Sequence, residues 1–408
     1  MQATGTANEG GLYIVRRNGI YFLTAVAVFL LTSTLSGCKN KGASGPGGVT
    51  EIRVGEYASL TGTTATFGTS THRGVQLAID EANATGGVKG VPLKLITEDD
   101  TSKPDVARTV VTKLVTQDKV MAVLGEVAST RSLAAAPVCQ QYRVPMITPS
   151  STNPEVTKKG DYIFRVCFTD DFQAAVVAHF ARDQGYRRAA IFKDIKNDYS
   201  VAFAANFADA FRKLGGEIVA EQVFQEGDTD FKAQLTSLRA SNPDTVLIPG
   251  YYSEVGTIAR QAREVGLKVP LLGGDGWDSP KLIPGAGGPG GALEGCFFSN
   301  HYFSPQLKEP QIQAFISAFH KKYGINPDAL AALGYDAAKL LVDSLKRAKK
   351  LDTASLREAI AATKDFPGVT GRITLDANRN ARKAALILQV KGDGYRVYRS
   401  YTPEQIGQ

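Results

Sequence analysis

Apolar residues along this chain alternate between two periods, and the alternation repeats. Glu51–Tyr57 switches polar and apolar at every residue, as a half-buried strand does. Over Ser70–Ala84 the period lengthens: Val75, Ala78, Ile79 and Ala82 share one helical face, and Gly86-Gly87 closes the segment. Strands are then predicted at Leu93–Ile96, Val120–Leu124 and Pro145–Thr148. Helices are predicted from Pro104 to Gln117, with proline at a favoured first-turn position, and over Arg131–Tyr142. The series restarts with helices at Phe172–Gln184, Val201–Leu214, Phe231–Arg239 and Glu254–Val265, interleaved with strands at Ala189–Phe192, Glu217–Phe224, Thr245–Ile248 and Pro270–Leu272. Strands alternating with helices imply βαβ units and parallel sheets covered on both faces. Two successive series predict two doubly wound Rossmann-like lobes, an α/β fold. Helices follow at Gln311–Tyr323, Ala329–Lys349 and Thr353–Ala362, then a hairpin over Ala384–Tyr401 turning at Gly392–Gly394.

The N-terminus departs from this pattern. Arg16 and Arg17 precede a 12-residue apolar run, Ile20–Leu31, too short to span a bilayer, which needs about 20 residues. Leu35-Ser36-Gly37-Cys38 follows and resembles a bacterial lipobox, whose cysteine is lipidated and becomes the first mature residue. The expectation is a signal peptide over 1–37, a lipid anchor at Cys38, a flexible Gly/Ser/Lys tether over 38–49, and a protein held on a membrane in the periplasm or at the cell surface.

Composition removes several function classes. The 408 residues are 43% hydrophobic and 21% charged, an ordinary globular balance. Mean hydropathy is slightly negative, which excludes a polytopic membrane protein. The net charge of +7 comes from scattered basic residues, giving nucleic-acid binding little support. Four histidines lack metal-ligand spacing, and four cysteines are too few for a disulfide scaffold. No cofactor is implied: the G-x-G-x-x-G match at Gly285–Gly290 has no strand before it and contains Pro289, so it reads as a surface loop. Asp376–Asn380 opens like a calcium loop but lacks the later Gly and Glu. Glu98–Asp100 reads as a solvated strand end.

The turns after the strands carry more. Ligands of open parallel sheets bind beyond the carboxyl ends of the strands. Those ends are Leu60–Gly68, Gly125–Thr130 and Thr148–Thr152 in the first series, and Asp194–Tyr199, Gly250–Tyr252 and Gly273–Trp277 in the second. One lobe offers hydroxyls and helix-start N–H groups, which suit a carboxylate. The other offers aromatic surface and Asp275, which suit an ammonium. Together they describe a site for a zwitterion.

From Glu51 to about Tyr401 the chain resembles the branched-chain amino acid (Leu/Ile/Val) periplasmic binding proteins of ABC transporters. Leu60–Gly62 with Phe67-Gly68, Gly86–Gly90, Glu98–Asp100, Val144–Thr152, Phe164–Phe168, Asp198-Tyr199, Pro249–Tyr251, Gly273–Gly276 and Ser299–Tyr302 carry the resemblance. It implies two lobes joined by three hinge crossings: lobe one over 50–167 and 297–376, lobe two over 168–296 and 383–408. It also implies a monomer that delivers a bound amino acid to permease subunits. Residue by residue, it places Ser129 against the ligand carboxylate and Ser150 and Thr152 between carboxylate and ammonium. Asp275, one methylene shorter than the family's Glu, falls at the ammonium; Phe67, Tyr199 and Tyr251 are further ligand contacts. The bulk of Trp277, two residues on, is expected to alter the ligand. By the family topology Phe164–Phe168 and Gly295–Asn300 run side by side as hinge crossings, so a Cys167–Cys296 disulfide is expected, with Cys139 a core residue. The same fold also serves sensory receptors for amino acids, amides or urea-like ligands. An extracytoplasmic enzyme would need a nucleophile–base pair, and the expected cleft holds no histidine.

Overall fold

The computed structural model describes residues 50–303 and 307–407. The signal segment, the tether and Cys38 lie outside the described residues. The first series runs β1 (Ile52–Ala58), α1 (Ala65–Ala84), β2 (Leu93–Asp99), α2 (Pro104–Thr116), β3 (Ala122–Leu124), α3 (Ser129–Tyr142), β4 (Met146–Thr148) and β5 (Ile163–Arg165). The second runs α4 (Asp170–Asp183), β6 (Arg188–Asp194), α5 (Asp198–Lys213), β7 (Glu217–Phe224), α6 (Lys232–Ala240), β8 (Thr245–Leu247), α7 (Tyr252–Glu264), β9 (Leu271–Gly273), α8 (Leu282–Gly285) and β10 (Phe297–Asn300). The chain ends with α9 (Pro310–Tyr323), α10 (Ala329–Arg347), α11 (Thr353–Ala361), the short pair β11 (Phe366–Gly368) and β12 (Gly371–Ile373), then β13 (Ala385–Lys391) and β14 (Gly394–Tyr401).

Strand periodicity explains the layers. Ala122 and Leu124 of β3 enter one core of lobe one while Val123, between them, enters the other. Val246 and Leu247 of β8 divide the same way in lobe two. Strands buried on both faces demand helices on both faces. Lobe one is a parallel sheet in the order β2-β1-β3-β4-β5. Lobe two repeats that order as β7-β6-β8-β9-β10 and adds the antiparallel β13 and β14 at its edge. The two α/β lobes expected from the pattern are present.

Helices α9 to α11 return to lobe one, where α10 lies along α1. A Cβ on Gly74 would stand 1.9 Å from the Ala331 carbonyl oxygen, and one on Gly334 would stand 2.4 Å from that of Thr71. Two glycines therefore let these helices meet backbone to backbone. The Asp328 side chain accepts from Ala331 N–H and starts α10 beside the cleft.

Two expectations need correction. β10 pairs with β9 and β13, so residues 297–300 belong to lobe two and the second crossing starts after Asn300. The cause is again alternation: Phe297 and Phe298 fill opposite cores of lobe two. The Cys167–Cys296 disulfide is not formed; Cys139, Cys167 and Cys296 are all free and buried. β10 separates Cys296 from the crossing by a strand's length, and its sulfur accepts from Leu271 N–H and Arg263 Nη2, each at 3.4 Å. Cys167 lies in a lobe-one core, 3.6 Å from the Ser151 carbonyl oxygen, and burial pushes its thiol up to about 12. Thiol titration of the unfolded, unreduced chain carrying Cys38→Ser is expected to count three thiols. A count of one would restore the bridge.

Candidate ligand-binding site

A sheet of order 2-1-3-4-5 has its topological switch point between the first and third strands, and a crevice opens there. In lobe one this point lies between β1 and β3, in lobe two between β6 and β8. The two crevices share one narrow cavity, lined by Phe67, Val127, Ser129, Ser150, Thr152, Tyr199, Tyr251, Asp275, Gly276 and Leu330. All seven expected ligand contacts are among them. Phe67, Ser129 and Ser150 with Thr152 follow β1, β3 and β4; Tyr199, Tyr251 and Asp275 follow β6, β8 and β9. Each lobe thus contributes the same three turns. Trp277 is not in the lining. It packs against Phe298 and donates to the Ile248 carbonyl at 3.0 Å, so its bulk belongs to the core.

Buried polar groups hold these turns. The Ser59 hydroxyl stands 2.7 Å from both Asp100 Oδ1 and Glu126 Oε1, and Ser59 N–H donates to Glu126 at 3.1 Å. Burial, and then the Glu126 charge, push the Asp100 carboxyl up to about 7. Glu126 Oε2 accepts from Ala128 N–H and lies 3.8 Å from Arg131. Asp99 accepts from the N–H groups of Leu60 and Thr61 at 3.0 and 3.2 Å. Asp99 and Asp100 are therefore not a solvated strand end; they build the first turn of the site. Arg165 fixes the third. Its buried guanidinium donates to the carbonyls of Ser151 at 2.6 Å and Asn153 at 2.7 Å, and to Asn380 Oδ1 at 2.7 Å. Asn380 belongs to the third crossing, so the false calcium loop is a hinge element. No group of acidic, histidine or cysteine side chains among the described residues is arranged to hold a metal.

The lobe-one face is made of donors. Ser129 is the first residue of α3, and Ala128 before it gives no side-chain cap, leaving first-turn N–H groups for a ligand. Ser129 Oγ accepts from Asn153 N–H at 3.2 Å, which keeps its own hydrogen for donation. Ser150 Oγ is buried without a hydrogen-bond partner.

The lobe-two face is aromatic with one acid. Tyr199 and Tyr251 stack at 5.5 Å and 11°, and Phe67 meets Tyr251 edge-on at 5.4 Å. Burial, with the Asp275 charge, pushes the Tyr199 phenol well above its ordinary range, so it stays neutral. Asp275 N–H donates to Gln173 Oε1 at 3.4 Å, and Gln173 Nε2 donates to Asp170 at 2.8 Å. Burial and the Asp275 charge push Asp170 up to about 8. Asp275 Oδ2 lies 3.1 Å from His301 Nε2, while Oδ1 is buried without a partner.

His301 is not among the lining residues; it stands behind Asp275, a contact that sequence reasoning missed. Its sequence position, after β10, gave no sign that the second crossing would turn it toward Asp275. Val127 and Gly276 belong to the expected turns Gly125–Thr130 and Gly273–Trp277, whereas Leu330 was missed. Leu330 comes from α10, far along the chain, and only the close α1–α10 crossing brings it to the cavity.

The lobes touch at the cleft rim. Tyr252 Oη donates to the Thr63 carbonyl at 3.1 Å, Asp198 N–H to Thr130 Oγ1 at 3.0 Å, and Asn153 Nδ2 to the Asp198 carbonyl at 2.9 Å. Thr66 and Ser279 hydroxyls lie 3.1 Å apart, and Thr63 bonds Glu226. The lobes stand closed on the cavity.

Residues 51–395 match the family model described as "Periplasmic binding protein". An "Amino acid binding protein" of Pseudomonas aeruginosa is 34% identical over 241 residues, which is 59% of this chain and 64% of that protein. The crystal structure of the leucine binding protein LivK of Thermotoga maritima has a TM-score of 0.83 at 37% identity, covering 86% of this chain and 99% of LivK. The substrate binding protein LivJ of Streptococcus pneumoniae, solved with isoleucine, has a TM-score of 0.80 at 34% identity, covering 86% and 98%. The duplicated sheet order, the cavity between the lobes and these likenesses agree, and the chain belongs to the periplasmic binding protein family, a family of small-molecule binders rather than catalysts, related to its branched-chain amino acid-binding members.

Proposed function

We propose that this protein captures a branched-chain amino acid between its lobes and delivers it to the permease of an ABC transporter, working from a lipid anchor at Cys38 outside the cytoplasm. One observation carries the ligand class. The same closed cavity combines the uncapped start of α3 and the Ser129 and Ser150 hydroxyls with an unpartnered carboxylate oxygen of Asp275. The first set suits a carboxylate and the second an ammonium. Phe67, Val127 and Leu330 add apolar surface for a side chain that carries no polar group. The leucine and isoleucine named for LivK and LivJ favour the same side-chain class.

A thermal-shift series over the amino acids tests this reading. L-leucine, L-isoleucine or L-valine at 100 times its dissociation constant is expected to stabilise the chain by about 2.7 kcal/mol. Amides, urea and benzoate are expected to leave the midpoint in place. A shift with one of those and none with an amino acid overturns the ligand class. Cys38→Ser is expected to move the protein from the membrane fraction to the soluble one; retention on the membrane removes the anchor.

A further inference from the structure

We infer that His301 is the positioning residue for the ammonium-binding carboxylate: its imidazole holds one oxygen of Asp275 and so presents the other to the ligand. The inference rests on the reading in which Asp275 receives the ammonium, and it adds a residue that touches the ligand only through Asp275.

The two atoms of the contact, His301 Nε2 and Asp275 Oδ2, are 3.1 Å apart and both side chains are buried. The partner is a carboxylate oxygen, an acceptor, so Nε2 carries the hydrogen and donates it. Burial lowers the imidazole's affinity for a second proton, which keeps the ring neutral and leaves the carboxylate's charge for the ligand. The ring cannot swing away, because it stacks on Phe168 at 3.6 Å and 21°. The Asp275 backbone is held as well, through Gln173 Oε1, which also accepts from Ser299 Oγ at 2.9 Å. Aspartate is a short acid, and these contacts leave it a single open oxygen, Oδ1. Phe168 lies on the first crossing and His301 on the second, so the support of the ammonium site is built from the hinge itself.

Calorimetric titration of the full chain with L-leucine tests this, using His301→Phe, His301→Gln and Asp275→Asn. The phenyl ring keeps the stack on Phe168 and removes the donor; glutamine restores an N–H donor. A charge-assisted hydrogen bond of this kind corresponds to about a 10- to 100-fold change in affinity. His301→Phe is expected to weaken leucine binding by that factor, and His301→Gln to return it to within about threefold of the unmodified chain. The unliganded thermal midpoints are expected to agree within about 3 °C. Unchanged affinity in His301→Phe, or equal losses in both variants, overturns the positioning role while Asp275→Asn still impairs binding. Undiminished leucine binding by Asp275→Asn overturns instead the reading on which it rests.

Discussion

Replacing Asp275 with alanine is expected to abolish measurable L-leucine binding while the chain stays folded. Inside a closed cavity a ligand ammonium loses its water, and a counter-charge must replace it. Breaking a buried ion pair by removing one partner costs about 3–5 kcal/mol. That is at least a hundredfold in affinity, at about 1.4 kcal/mol per decade. Among the lining residues of the cavity, Asp275 is the only one with a carboxyl side chain. The fold is spared because the turn that carries it is held by its backbone: Asp275 N–H bonds Gln173, and Trp277 N–H bonds the Gly274 carbonyl at 3.0 Å. Calorimetry giving the same affinity for Asp275→Ala and the unmodified chain would remove Asp275 from the site.

Arg165→Met is expected to cost about 3–5 kcal/mol of stability, since it strands buried acceptors at about 1–3 kcal/mol each. The guanidinium serves the carbonyls of Ser151 and Asn153 and the amide oxygen of Asn380, and methionine serves none of them. Those bonds join the β4 turn, which carries Ser150 and Thr152, to the third crossing. Leucine affinity is therefore expected to fall together with stability. Urea denaturation reads the first effect as a lowered midpoint with an unchanged slope. A loss below about 1 kcal/mol would mean that water reaches and satisfies the two carbonyls, Asn380 Oδ1 keeping its bond from Thr157 Oγ1.

The legible parts of this protein share one property: each is written in consecutive residues. Alternation over Glu51–Tyr57 and the three-four spacing over Ser70–Ala84 report which face of an element is buried, and burial follows directly from hydrophobicity. Because ligands of parallel sheets sit at strand carboxyl ends, locating the strands also located Ser129, Ser150, Thr152, Tyr199, Tyr251 and Asp275. Their resemblance to a known family's turns then assigned each a ligand contact. The cysteines and acids were misread for the complementary reason. The family topology puts Cys296 on the second crossing, Gly295–Asn300, yet β10 occupies Phe297–Asn300 and sets Cys296 a strand's length from that crossing. Asp99 and Asp100 look like a solvated end in one dimension, but their partners Ser59, Leu60 and Thr61 stand about 40 positions earlier.

By itself, then, the sequence determined the two doubly wound lobes and which turns face the cleft, since both depend on local period and strand order. Only the tertiary structure decided that residues 297–300 complete the second sheet, that Leu330 closes the cavity, and that His301 stands behind Asp275. Each of those depends on bringing together segments 25 to more than 200 residues apart. Such meetings are set by the packing of whole elements, as when Gly74 and Gly334 let α10 settle on α1. Hydrophobic period says that a face is buried; shape complementarity between distant faces chooses its partner.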